Sequence, residues 1–169
     1  NNDDESLATV EAFDPLLGAW AFVASMSFDR NSHAAAVVDG KIYVLGGFDT
    51  GTEQCTDSVE MYDPQMDSWQ QMASMPDARH RHKATSMGGK IYLTGGCLDD
   101  LDAVSHASTA VVFDPQANTW TELASMGTAR ADHASAAIGG KLYVFGGYGT
   151  DGTDERGVPR VASVEAYDP

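Results

Sequence analysis

One ten-residue segment occurs three times in this chain: Asp39-Gly-Lys-Ile-Tyr-Val-Leu-Gly-Gly-Phe48, Gly88-Gly-Lys-Ile-Tyr-Leu-Thr-Gly-Gly-Cys97 and Gly139-Gly-Lys-Leu-Tyr-Val-Phe-Gly-Gly-Tyr148. Each is an apolar run of β-branched and aromatic residues set between a glycine turn and a glycine pair. The run is too short for a helix and reads as a buried strand. The glycine pair ends it where the backbone must bend, or approach another backbone more closely than a Cβ permits.

Other residues keep the same step. Trp20, Trp69 and Trp120 are 49 and 51 residues apart, as are Met26, Met75 and Met126, Arg30, Arg79 and Arg130, and His33, His82 and His133. Phe13-Asp14-Pro15, Tyr62-Asp63-Pro64, Phe113-Asp114-Pro115 and Tyr167-Asp168-Pro169 carry the pattern into a fourth phase. A period near 50 with only strand signals implies one small sheet per repeat. With its four apolar residues before the Gly pair, its aromatic-Asp-Pro and its Trp seven residues after that aromatic, the chain from about Ala8 to Pro169 resembles the kelch-repeat β-propeller family. The resemblance implies an all-β fold of four-stranded antiparallel blades, strands a to d.

In that frame residues 1–29 are a partial blade (strands c and d), 30–78 and 79–129 are kelch repeats, and 130–169 supply strands a, b and c of another. Within the first complete repeat, strand a is expected near Ala34–Val38, b near Ile42–Leu45, c near Ser58–Tyr62 and d near Ser68–Met72. Thirteen strands make about three blades, whereas propellers close with four to eight. The expectation is therefore an incomplete propeller, either a piece of a larger one or a chain that closes by pairing with another copy. The opening Asn-Asn-Asp-Asp-Glu has no initiating Met, no charged n-region and no apolar h-region, which fits a trimmed or partial chain without a signal peptide.

Charge narrows the partners. The 169 residues have a formal net charge of −15 and 43% apolar composition. That charge argues against phosphate-backbone binding and against an anionic membrane surface, both of which need basic clusters. No apolar run is long enough for a transmembrane helix. Two cysteines, Cys55 and Cys97, in different repeats form neither a disulfide framework nor CxxC spacing; with no Asn-x-Ser/Thr sequon, they point to a reducing cytosol.

Residues that recur once per blade read as architecture. The Trp residues suit the seams between blades. The Asp-Pro suits turn chemistry, with Asp bonding local backbone and Pro fixing φ. The His trio and the Arg trio recur by symmetry, so hydrogen-bonding roles in the fold are expected, not ligation. Glu11, Glu60 and Glu165 share one strand-c position and are the expected Arg partners; Val111 stands there in the remaining repeat.

Residues that break the repeat carry more functional information. His80, Arg81 and Lys83 follow Arg79, where the other repeats have Asn31-Ser32 and Ala131-Asp132; Cys97 replaces Phe48 and Tyr148; Asp99, Asp100 and Asp102 crowd one b–c loop; and Asp151, Asp154, Glu155, Arg156 and Arg160 fill the longest. His80 and His82 alternate, but two His fall short of a closed metal site, and the acidic loops lack calcium-loop spacing. No cofactor or metal centre is implied. In an antiparallel meander the a–b and c–d connections share one face and the b–c and d–a connections the other. The a–b turns are two residues each time, whereas the steps from Gly47 to Tyr62, Gly96 to Phe113 and Gly147 to Tyr167 are 15, 17 and 20 residues. Variable loops on a rigid scaffold are where recognition resides, and kelch-like propellers, by resemblance, use this face for peptide partners. A protein-binding face formed by His80, Arg81, Asp99, Asp100, Tyr148 and Arg156 is the expectation. The resemblance also allows two other roles, the substrate-recognition part of a cullin-dependent ubiquitin ligase adaptor and a fragment of a propeller oxidase or sugar epimerase. Open sheet edges add self-association.

Overall fold

A computed structural model describes residues 6–100, 103–149 and 160–169; for residues 99, 100, 103 and 104 it gives the backbone alone. The described residues form strands and turns without a helix. A leading hairpin pairs Val10–Asp14 with Ala19–Val23. The first complete blade is Ala34–Val38, Lys41–Leu45, Val59–Asp63 and Ser68–Gln71, hydrogen-bonded in that order; the second is Lys83–Met87, Lys90–Thr94, Ala110–Asp114 and Thr119–Glu122. A last sheet joins Ala134–Ile138, Lys141–Phe145 and Val164–Tyr167. All pairings are antiparallel, so each complete blade is an a-b-c-d meander.

Local chemistry sets the turns. The a–b hairpins turn on residue pairs with both φ angles positive, Asp39 at 51° and Gly40 at 73°, then Gly88 at 59° and Gly89 at 75°. Those are type I′ turns, whose twist matches the flanking strands. At the c–d turns the Asp of Asp-Pro caps the backbone: Asp14 accepts from the Leu16 N–H, Asp63 from Gln65 and Asp114 from Gln116.

The core lies between blades. Tyr43, Leu45, Val59 and Met61 of the first blade pack with Ile91, Leu93, Val111 and Phe113 of the second. Strand c is covered nearly along its length in both complete blades, while the leading hairpin is mostly exposed. In the two complete blades the Trp is half-buried rather than enclosed and bonds across the seam behind it: the Trp69 indole N–H donates to the Ala24 carbonyl at 2.7 Å and that of Trp120 to Ala73 at 3.0 Å. Trp69 stacks on Tyr62 and Trp120 on Phe113, with ring centroids 5.1 and 4.9 Å apart.

The Gly pairs are the points where one blade meets the next. Arg30 donates to the Gly46 carbonyl, Arg79 to Gly95 and Arg130 to Gly146, each within its own blade. The second glycine reaches forward: the Gly47 N–H donates to the Arg79 carbonyl and the Gly96 N–H to the Arg130 carbonyl, both at 2.9 Å. A Cβ on Gly46 would lie 2.7 Å from the Arg79 carbonyl and 2.8 Å from the His82 ring, so next-blade backbone occupies the space a side chain would need.

The expected Arg–Glu pairs form at Glu60 and Glu165, while Glu11, in the leading hairpin, is exposed. Arg30 bonds Glu60, and Arg130 lies 2.5 Å from Glu165. These carboxylates also accept the backbone N–H groups of Ser27, and of Gly127 and Thr128. In the second blade the residue equivalent to Ser27 and Gly127 is Pro76, which has no N–H to satisfy. Val111 therefore leaves no orphan donor there, and Asp77 takes over the Arg79 guanidinium at 2.9 Å.

The His trio follows its neighbours. His133 is buried and shares a 2.8 Å hydrogen bond with the Thr94 hydroxyl of the preceding blade. At the seam before it, Leu45 replaces that Thr. His82 is 0% exposed, faces the Leu45 carbonyl and has no well-formed hydrogen bond at either ring nitrogen. The hydrogen-bonding role expected from recurrence thus has a side-chain partner at His133 and only the Leu45 backbone carbonyl at His82.

Candidate partner-binding face

The d–a segments lead from the outer strand of one blade to the inner strand of the next. Three equivalent residues in them, Ser32, Arg81 and Asp132, take left-handed φ angles of 53°, 56° and 50°. Non-glycine residues adopt this conformation only where surrounding bonds hold them. Here the Arg81 N–H donates to the Ser32 carbonyl at 2.8 Å and the Asp132 N–H to the Arg81 carbonyl at 2.9 Å, so a backbone chain runs from blade to blade through these three positions. The Arg81 guanidinium lies 3.7 Å from the Asp132 carboxylate, with the two side chains 50% and 39% exposed.

Among the described residues, seven short strands beyond the thirteen of the blades occupy this side, all within b–c or d–a segments. The residue after each Gly pair meets the residue before the left-handed position. Asn31 bridges Phe48, His80 pairs with Cys97, and Ala131 pairs with Tyr148. Two b–c connections fold back on themselves, Phe48–Asp49 with Gln54–Cys55 and Cys97–Asp100 with Ala103–His106. The Asp99 and Asp100 expected in a loop therefore lie in a strand. The pattern Cys-Leu-Asp-Asp-Leu-Asp-Ala-Val has no clean alternation, so its acidic residues read as loop, whereas backbone pairing with Ala103–His106 makes Cys97–Asp100 a strand.

The expected site residues divide. His80 and Arg81 are adjacent on the hub. Tyr148 sits one repeat further on, paired with Ala131 and not with His80, and carries the Arg160 guanidinium 4.7 Å above its ring. Arg156 lies outside the described residues. Sequence reasoning missed Cys55 as a neighbour of this site: its Sγ is 2.9 Å from Nδ1 of His80, and the Phe48 ring packs edge-on against the same imidazole with centroids 6.1 Å apart. Nothing in the sequence links Cys55 to His80, which lie 25 residues apart in different repeats. Asp49 is a turn residue: bonds from the Thr52 and Gly51 backbone hold its carboxyl below the ordinary range. Among the described residues no group of three His, Cys, Asp or Glu is placed to hold a metal ion.

Residues 19–147 match the KLHDC2/KLHL20/DRC7 Kelch-repeats domain, and residues 129–169 match the Kelch motif. The chain belongs to the kelch-repeat family. Among curated relatives, this kelch chain is 36% identical over 150 residues to an F-box/kelch-repeat protein of Arabidopsis thaliana, covering 87% of this chain and 26% of that one. It is 32% identical over 161 residues to beta-scruin of Limulus polyphemus, covering 95% and 12%, and 39% identical over 54 residues to Kelch-like ECH-associated protein 1B of Danio rerio, covering 32% and 9%. The chain thus spans about a quarter or less of these relatives. The solved structure of YjhT superposes with a TM-score of 0.75 at 21% identity, covering 89% of this chain and 53% of that one, a likeness of fold.

Proposed function

We propose that this kelch chain is a protein-interaction module whose b–c and d–a face binds a basic segment of a partner protein. The observation that carries the reading is the unequal build of the two faces. One face holds fixed type I′ and Asp-capped turns; the other holds segments of three different lengths, extra hairpins and the left-handed hub. Polarity follows from charge. The b–c segments carry Asp49, Glu53, Asp57, Asp99, Asp100 and Asp102 in the first two repeats and no Lys or Arg, within a chain of net charge −15. Such a surface attracts a cationic segment and makes association salt-dependent. Arg81, half-exposed and paired with Asp132, adds a cationic group to this face.

Charge reversal tests the face. Asp99→Lys is expected to weaken partner binding roughly tenfold and to reduce its salt dependence, and Arg81→Glu to change affinity. Gln116→Lys, on the opposite face, is expected to leave binding unchanged. Asp67, on the same face as Gln116, supports the seam, since its carboxylate accepts from the Ala24 N–H and the Tyr62 hydroxyl. Binding altered only by the opposite-face variant would refute the assignment. The reading is of a binding module, not an enzyme, since what varies between repeats is loop charge and length. A second reading, the substrate-recognition part of a ubiquitin ligase adaptor, is supported by the F-box/kelch-repeat relative. Pull-down of a cullin complex by the full-length protein tests it.

A further inference from the structure

Cys55 and His80 come together only because two blades meet. Cys55 lies on the short strand Gln54–Cys55, opposite Phe48 in register, and belongs to the first blade's b–c hairpin. His80 belongs to the segment that opens the second blade and is held there by backbone pairing with Cys97. The Sγ to Nδ1 distance is 2.9 Å. The Phe48 edge packs against the imidazole and limits its rotation. The pairing is specific to this seam, because Asn31 and Ala131 stand at the positions equivalent to His80. The two cysteines differ in access: Cys55 is partly exposed, whereas Cys97 is 1% exposed.

An imidazole within hydrogen-bond reach can take the thiol proton, and the thiolate is the nucleophilic form of cysteine. We propose that Cys55, activated by His80, is a site of covalent modification by uncharged soft electrophiles of the α,β-unsaturated carbonyl class. The proton moves from Sγ to Nδ1 of His80. The thiolate forms an S–C bond to the β-carbon of the electrophile, and the C=C π pair becomes an enolate. The enolate then takes a proton back from the imidazolium, so the addition is complete with no leaving group and no oxidant. The uncharged class is favoured because a chain of net charge −15 repels anionic reagents. An adduct on Cys55 would stand on the loop face beside His80. That it would also hinder partner binding rests on the function proposed above; the modification itself does not.

The test needs no partner. The folded chain is treated with limiting N-ethylmaleimide at pH 7, and labelling of each cysteine is timed by peptide mass spectrometry. Cys55 is expected to react well ahead of Cys97. His80→Asn, which installs the residue found at the equivalent position 31, is expected to slow Cys55 labelling about tenfold, the gain expected from a larger thiolate fraction offset by its lower nucleophilicity. Continued protection of Cys97 in that variant shows that the fold is intact. His80→Gln serves as a second variant if the first lets Cys97 label. A Cys55 rate unchanged by loss of the imidazole, or Cys97 labelling first in the native chain, would overturn the proposal. Loss of partner binding on labelling in wild type but not in Cys55→Ser would extend it to regulation. Labelling without an effect on binding would leave the modification site standing and remove the regulatory link.

Discussion

The same repeat residues lie in the middle of the chain and at its ends, and their surroundings differ. Trp69 and Trp120 each bond the blade behind them, whereas Trp20 is 65% exposed although it stacks on Phe13 at 5.2 Å as the others do on their partners. His82 and His133 are buried under the preceding blade, whereas His33 is exposed. Beside Tyr167 a cavity of about 190 Å³ is lined by Ala124, Met126, Leu142 and Tyr167. A kelch motif residue therefore acquires its stabilising contacts from the adjacent repeat. Stability in such an array is a sum of repeat and interface contributions, and the motif alone supplies only the first.

The sharpest way to break this comparison is at the Gly pairs. Gly46 and Gly146 have matching φ angles of 57° and 61°, but a Cβ on Gly46 would meet Met75 and next-blade atoms at under 3 Å, while among the described residues one on Gly146 meets only the Val161 carbonyl at 3.4 Å. Gly46→Ala is expected to cost about 4 kcal/mol or more, combining left-handed strain with overpacking. Gly146→Ala should cost about 1–2 kcal/mol, the left-handed strain alone. Urea unfolding of both variants measures this; equal losses would show that the seam contributes nothing.

Acid should act through the covered histidines. Burial first, then the Arg79 charge, pushes His82 down to about 3, and burial with Arg130 pushes His133 down to about 4. Both rings are neutral in the folded chain at pH 5, while in the unfolded chain they take up protons below about 6.5. The unfolded state then binds more protons, so this stability is complete above about pH 6.5 and is lost as pH falls toward the folded values. Between pH 7 and pH 5 the loss should be roughly 2 kcal/mol per histidine. Denaturant midpoints at the two pH values measure it, and a flat response would mean that the two rings are solvated in the native state.

Trp69→Ala should cost about 2–3 kcal/mol, less than a fully enclosed indole because Trp69 is half-buried. Trp20→Ala should cost about 1 kcal/mol or less, since only its stacking on Phe13 is lost. Melting temperatures that fall equally would sink the seam argument. The smallest expected effect is association. Trp20, Phe22, Ile138 and Val164 are all exposed on the two terminal sheets, and uncovered sheets invite pairing. Light scattering should show mass rising with concentration and returning toward monomer in Phe22→Lys. A stable monomer across the range would remove self-association from the account.

Much of this is legible in the sequence alone. The thirteen blade strands, their order, the type I′ and Asp-Pro turns and the Arg30–Glu60 and Arg130–Glu165 pairs follow from residues that recur with one period. Local bonding and burial dictate them, and local rules leave marks in sequence. The compensation in the second blade was visible only in part. Val111 marked the missing Glu, but that Pro76 removes the need for it emerges only when the carboxylates are seen to accept the Ser27 and Gly127 N–H groups. Of the candidate site, the hub residues His80 and Arg81 stood out as departures from the repeat, while the strand at Asp99 and Asp100 and the neighbour Cys55 did not.

By itself the sequence determined what one blade is, because a strand's burial pattern, a turn's φ signs and a capped Asp are satisfied within about 50 residues of chain. Only the tertiary structure decided what happens between blades. Whether a Trp is bonded, whether a His keeps its hydrogen bond and which thiol meets which imidazole depend on atoms supplied by another repeat, whose side chains at the matching positions differ. Leu45 against Thr94 decides the fate of His82 and His133, and no periodicity reports such a difference across a seam.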